Sequence, residues 1–223
     1  MGFDLVSFDL DGTLADTAGE IAEAANRALD DLGLPRQPVD AIERLIGAGS
    51  RALMRRLLER IGAGTAEADA EAAFARFGVH YEALAGTTCQ LYPGTADALA
   101  RLGQAGVRLV CLTNKNERES RAVLKATGIE GCFELLVGGD TLPFRKPDPR
   151  VVDHVLTTLG VELGAMVHVG DSRTDVETAR CAGIAAWVVP YGYNGGEPIE
   201  GAGADRIFTD LAAVADHVLA TRR

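Results

Sequence analysis

The sequence predicts an α/β protein: a doubly wound parallel sheet interrupted once by a block of helices. Two observations carry that prediction. Short apolar runs that end in polar or glycine-rich turns recur with helical patterns between the later ones, and one interval between runs is far longer than the others. The runs are Phe3 to Phe8, Val107 to Leu112, Glu134 to Val137, Ala165 to Val169 and Ala185 to Val189, and they read as buried parallel strands.

The punctuation between them is helical. Asp148 is placed to cap a helix with Pro149 at its first position and Gly160 beyond its end, and Gly128 and Gly183 stand where helix C-termini favour a left-handed residue. Between the first run and the second, about ninety residues intervene where a single crossover helix needs a few tens. That stretch carries its own helical patterns. Thr17 and Glu20 suggest a capping box ahead of Ile21, Ala25, Ala28 and Leu32, with Gly33 as the stop. Ser50 is expected to cap a second helix whose Leu53, Met54, Leu57, Leu58 and Ile61 share one face, and a third pattern runs from about Ala66 to Leu84. Residues 16–88 are therefore expected to form a helical cap, with 1–15 and 89–223 as the core and a return linker near Thr88 to Gly94.

Composition narrows the function classes. With 223 residues, 47% of them hydrophobic, the chain can bury a substantial core. Its formal net charge of -10 and the lack of any basic block argue against a nucleic acid partner. Cys89, Cys111, Cys132 and Cys181 are widely spaced and signal neither a zinc site nor a disulfide framework, and Cys111 and Cys181 read as packing residues. Asp4 and Asp9 stand where a signal peptide would be basic and apolar, and no stretch reaches membrane-spanning length, so a soluble cytoplasmic protein is expected. No feature of the sequence speaks to oligomeric state.

Ligands of open α/β sheets collect at the carboxyl ends of the strands. There the residues agree in character: Asp9, Asp11, Gly12 and Thr13 after the first run, Thr113 and Asn114 after the second, Lys146 in "RKPDP", and Asp171 and Asp175 in "GDSRTD". Carboxylates, a hydroxyl, an amide and a lysine on one rim suit a divalent cation and a phosphoryl group. Hard oxygen ligands such as Asp9 and Asp171 favour Mg²⁺, and both the metal and Lys146 would offset the repulsion between an attacking carboxylate and a phosphate. Asp9 could then attack phosphorus to form an aspartyl-phosphate, with Asp11 protonating the leaving alkoxide and later activating water. Asp11 needs surroundings that favour its neutral form, which desolvation beneath a closed cap and the neighbouring carboxylate would supply.

"DLDGTLADT", "LTN", "RKPDP" and "GDSRTD", in this order, resemble the four motifs of the haloacid dehalogenase superfamily over nearly the whole chain. The resemblance implies a Rossmann-like core with an inserted helical cap, with Asp9 as nucleophile, Asp11 as general acid/base, Thr113 and Asn114 holding phosphate, Lys146 stabilising it and Asp171 on Mg²⁺. It also implies that the main-chain carbonyl of Asp11 reaches the metal and that Asp175 supports the site from behind. Within the superfamily, "DGTLADT", "IAEAANRALDDLGLP" and "IGAGSRALMRRLL" are similar to phosphoglycolate phosphatases, which implies 2-phosphoglycolate as substrate.

Each feature has a plainer reading. Thr113 and Asn114 could cap a turn, Lys146 could be a solvated charge, and Asp175 suits the first turn of a helix without any metal. Arg51 follows the Gly47 to Gly49 loop at a helix start, where free N–H groups welcome an anion, and is a candidate for the substrate; its plainer reading is a solvated helix arginine. His168 reads as a satisfied core residue. Competing functions are a phosphomutase of the β-phosphoglucomutase type, a phosphatase for a sugar phosphate, nucleotide or pyrophosphate, and a phospho-accepting signalling module. A phosphonatase would need a cap lysine, whereas Lys115, Lys125 and Lys146 all fall in the core.

Overall fold

The computed structural model describes residues 2–63 and 66–222 and has a six-stranded sheet in which every neighbouring pair is parallel. β1 (Leu5–Phe8) runs through its middle. A separate antiparallel pair is made by β2 (Ala15–Asp16) and β3 (Gln90–Leu91). β4 (Arg108–Leu112) and β6 (Met166–Gly170) flank β1, with β5 (Leu135–Val137) outside β4 and β7 (Ala185–Val188) outside β6. All five apolar runs contain a strand. A sixth, β8 (Arg206–Ile207), was not expected: its two residues are exposed and carry no strand pattern, and it exists by pairing with Trp187 and Val188.

Side chains alternate across a strand, so β1 feeds two cores. Val6 and Phe8 pack with Leu99 and Leu102 of α5 (Thr95–Gln104), Val123 of α6 (Glu117–Ala126) and Val214 and Val218 of α9 (Leu211–Thr221). Leu5 joins Val110 and Met166 against Val152 and Val155 of α7 (Arg150–Leu159) and Val176 of α8 (Arg173–Ala182). Helices thus cover both faces, as buried parallel strands demand. Gly160 and Gly183 end α7 and α8 in left-handed geometry, and the Asp148 carboxylate accepts the Arg150 N–H at 3.0 Å.

The inserted helices are α1 (Ala18–Asp31), the short α2 (Val39–Glu43), α3 (Ser50–Ile61) and α4 (Glu67–Leu84). They have a core of their own, in which Ile21, Leu29, Leu53, Leu57 and Phe77 interlock. Complete burial of a leucine such as Leu57 stabilises by about 1.5–3 kcal/mol, so this cluster contributes strongly to holding the cap helices on one another. The β2–β3 pair marks where the chain leaves for the helices and returns, and Tyr92 N–H adds a bond of 3.1 Å to the Leu14 carbonyl. Among the described residues no helix is long and apolar enough to cross a membrane.

Three local expectations fail for physical reasons. Thr17 and Glu20 do not form a capping box: the Thr17 hydroxyl donates to Asp11 at 2.7 Å, and the Glu20 carboxylate turns inward to accept Gly86 N–H and Tyr81 O–H. Ser50 is the first helical residue of α3 rather than its cap, a place taken by Gly49 with φ +87°. Cys181 lies exposed on α8 instead of packing, while Cys111 is buried as expected.

Candidate active site

The sheet order explains the convergence of the motifs. Because β4 and β6 both neighbour β1, the loops leaving their carboxyl ends meet the loop leaving β1 on one edge. Asp9 follows β1 directly and its N–H is held by the Val169 carbonyl at 2.9 Å, while Leu10 N–H donates to its Oδ1 at 2.7 Å. Gly12, with φ +84°, turns the chain back under Asp171; a Cβ there would stand 2.3 Å from the Asp171 carboxylate. Thr13 O–H then donates to Asp171 Oδ1 at 2.7 Å. Gly170 serves a similar purpose on β6, since a side chain would collide with Asp175 at 2.1 Å.

Asp9, Asp171 and Asp175 are buried, with one carboxylate oxygen of each within 4.8 Å of the others. Lys146, itself buried, reaches Asp9 Oδ1 at 3.0 Å and Asp175 Oδ1 at 2.7 Å. Burial and the charges of Asp175 and Asp9 push Asp171 well above the usual carboxylate range. Burial also raises Asp9, against the pull of Lys146. Asp175 goes the other way: burial would raise it, but Lys146 and His168 hold it far below its ordinary value. The set is all hard oxygen, buried and short of positive charge, so its chemistry fits a divalent cation. Both Asp175 oxygens are already engaged, one by Lys146 and His168 and the other by the Ser172 hydroxyl and N–H. Asp171 accepts only from neutral donors, Thr13 O–H and Tyr193 N–H, whereas Asp175 faces the Lys146 ammonium, so Asp9 and Asp171 are the carboxylates best placed to hold such an ion.

His168 is satisfied by Asp175 at Nε2, 3.0 Å away, and by the Ser7 hydroxyl at Nδ1, 2.8 Å away. With the proton on Nε2, a buried chain of bonds runs from Ser7 through His168 and Asp175 to Lys146.

Asp11 stands on the rim of the pocket between core and cap, with its carboxylate 13% exposed. It is largely buried, as expected, but it is paired with a cation, which the sequence pattern does not signal. Lys115 Nζ lies 2.7 Å and 2.9 Å from its two oxygens, and Thr17 donates to one of them. Lys115 is the residue that sequence reasoning missed, although it directly follows "LTN" at the same strand end.

Thr113 and Asn114 both line the pocket. The Asn114 amide is already committed, donating to the Lys146 carbonyl at 3.1 Å and across to the cap at the Gly47 carbonyl, 3.0 Å away; its Oδ1 is buried without a partner. The cap wall of the pocket is apolar, with Ile21, Ile46, Leu53, Phe74, Phe77 and Tyr81. Arg51 is not in that wall. Its guanidinium, 47% exposed, lies over the Phe74 ring at 4.7 Å and pairs with Glu71, while Gly49 and Ser50 of the same loop do face the pocket.

Tyr193 ties this site to the cap. Its N–H donates to Asp171 and its hydroxyl to Asp16, and that hydroxyl accepts Thr17 N–H at 2.9 Å and Ala18 N–H at 3.1 Å, at the start of α1.

Comparison with known proteins agrees with this geometry. The sequence pattern of the haloacid dehalogenase-like hydrolases matches residues 3–183. A plasmid phosphoglycolate phosphatase of Cupriavidus necator is 41% identical over 209 residues, covering 94% of this chain and 90% of that protein. A phosphoglycolate phosphatase of Rhodospirillum rubrum is 41% identical over 221 residues, covering 95% and 89%. The crystal structure of a predicted phosphoglycolate phosphatase from Haemophilus somnus superposes with a TM-score of 0.89 at 30% identity, covering 96% of this chain and 97% of that one. With Asp9, Asp11, Thr113, Lys146 and Asp171 gathered at one edge of a capped parallel sheet, the chain belongs to the haloacid dehalogenase-like hydrolases.

Proposed function

We propose that this chain is a cytoplasmic Mg²⁺-dependent phosphatase that hydrolyses a small phosphomonoester, 2-phosphoglycolate, to glycolate and inorganic phosphate. The observation that carries the reading is the placement of Asp9: a carboxylate at the end of the central strand, touched by Lys146 at 3.0 Å and facing a pocket closed by the cap. Relatives that match over nearly the whole chain bear the name phosphoglycolate phosphatase, which supports the substrate. We take residues 16–88 as the cap and 1–15 with 89–223 as the core.

In this reading Asp9 attacks phosphorus, the ester oxygen leaves with a proton from Asp11, and an aspartyl-phosphate remains. Asp11 then takes a proton from water, which attacks phosphorus and releases phosphate, restoring Asp9. Thr113 holds the phosphate oxygens with its hydroxyl, Asn114 would join it through its main-chain N–H since its side-chain amide is spent on Gly47 and Lys146, and Lys146 offsets their charge. Asp9, Asp171 and the Asp11 carbonyl would hold Mg²⁺, which neutralises charge on the phosphoryl oxygens. Asp175 holds Lys146 in place. Arg51 would need to leave Glu71 to meet a substrate, so we assign it to the cap surface that approaches the site.

The test is turnover. Asp9→Asn should lower kcat by more than about a thousandfold, the scale of nucleophile removal, and retention of the parent rate would rule out covalent catalysis. A panel of 2-phosphoglycolate, sugar phosphates and nucleotides measures the substrate. Strong preference for β-glucose 1-phosphate without phosphate release would favour a mutase instead.

A further inference from the structure

Lys115 is the one cationic side chain among the described residues that line the pocket, and the reaction above gives it no task. It projects from the loop after β4, and its side chain is only 3% exposed. Two of its N–H groups are accounted for by the Asp11 oxygens at 2.7 Å and 2.9 Å. The third meets no oxygen among the described residues; the ammonium lies 4.7 Å from the centre of the Tyr81 ring, a cap residue. Tyr81 is held from behind by its bond to Glu20. A buried ammonium thus faces the pocket with one donor to spare.

We propose that Lys115 binds the non-reacting end of the substrate, and that this end is a carboxylate on a short tail. The proposal rests on the phosphatase reading, in which the leaving oxygen faces Asp11. Whatever is attached to that oxygen starts beside Asp11, where the ammonium of Lys115 stands. A carboxylate two carbons along meets that spare donor without crossing the pocket. The remaining walls select against other tails. A polyhydroxyl tail would press its hydroxyls against Leu53, Phe74 and Phe77, which offer no hydrogen bonds. A longer anionic tail would run along α6 into Glu119, whose Oε2 is buried without a partner and repels a second negative charge.

The experiment compares 2-phosphoglycolate with 2-hydroxyethyl phosphate, its neutral counterpart, using the full chain with Mg²⁺. The readout is the ratio of kcat/KM within the pair, because an effect of the variant on folding or on proton transfer by Asp11 enters both members. In the parent protein the carboxylate member should be favoured, and Lys115→Met should reduce that ratio by about 10- to 100-fold, the range for a lost charge-assisted bond. Lys115→Arg should keep most of it. If both members of the pair fall together in Lys115→Met, or if the parent shows no preference for the carboxylate tail, the inference is overturned. If carboxylate preference depends on Lys115 but the favoured substrate is not 2-phosphoglycolate, the substrate reading fails and the role of Lys115 stands.

Discussion

Replacing Lys146 by Met strands two buried carboxylates. The ammonium lies 2.7 Å from Asp175 and 3.0 Å from Asp9, with 1% of its side chain exposed. At an effective dielectric of about 20, each contact is an attraction of about 5 to 6 kcal/mol. Much of that attraction offsets the desolvation of three ions, which costs several kcal/mol apiece. The intact cluster therefore adds little net stability. Deleting its cation alone is another matter, because the desolvation cost stays: breaking a buried pair this way costs about 3–5 kcal/mol. For a chain of this length that is a fall in Tm of about 6–20 °C. Trp187, the single tryptophan and only 3% exposed, reports unfolding in urea by its fluorescence. The measurement belongs in buffer with a chelator, since divalent cations would neutralise the stranded carboxylates and raise stability by linkage. The urea slope should stay constant while the midpoint falls. Adding Asp175→Asn to Lys146→Met should recover a large part of the loss, since it removes one stranded charge. A loss below about 1 kcal/mol in chelator would refute the reasoning and mean that the cluster takes up a proton or water at no cost.

Two further perturbations test the junction between the cap helices and the site. Burial raises Glu20 above its ordinary value despite Lys115, so the folded chain holds that proton more tightly than the unfolded chain. Its contribution is fully present below about pH 4.5 and is lost as pH rises through the raised folded value; the stability of the parent minus that of Glu20→Gln should shrink from pH 4.5 to pH 7.5 in urea melts, and a flat or growing difference would contradict this. Tyr193→Phe removes the acceptor of the buried Thr17 N–H and the donor to Asp16, at a cost of about 1–3 kcal/mol. Amide exchange at Thr17 should speed up relative to β1, and unchanged protection would show that the hydroxyl does not hold the first turn of α1.

Much of the architecture was legible because it is written in neighbouring residues. The apolar runs, the helix stops at Gly33, Gly160 and Gly183, and the long interval after the first run are local patterns that survive into the folded chain. β8 was not legible, since exposed Arg206 and Ile207 become a strand only by lying beside β7. The failed capping box has a similar cause. Thr17 and Glu20 have the right spacing, but Asp11 and Gly86 compete for their side chains and win through contacts the helix itself does not make.

The same division runs through the site. Its chemical inventory is local, because paired aspartates, a threonine, a lysine and a further aspartate at successive strand ends suit few purposes other than phosphoryl chemistry. How those groups are shared out depends on contacts between distant parts of the chain. Lys146 is divided between Asp9 and Asp175, the Asn114 amide is spent on the backbones of Gly47 and Lys146, and Asp11 is held by Lys115 across 104 positions of sequence. Hydrogen bonds and ion pairs are settled within a few ångströms, and which groups come that close depends on β4 and β6 both lying beside β1.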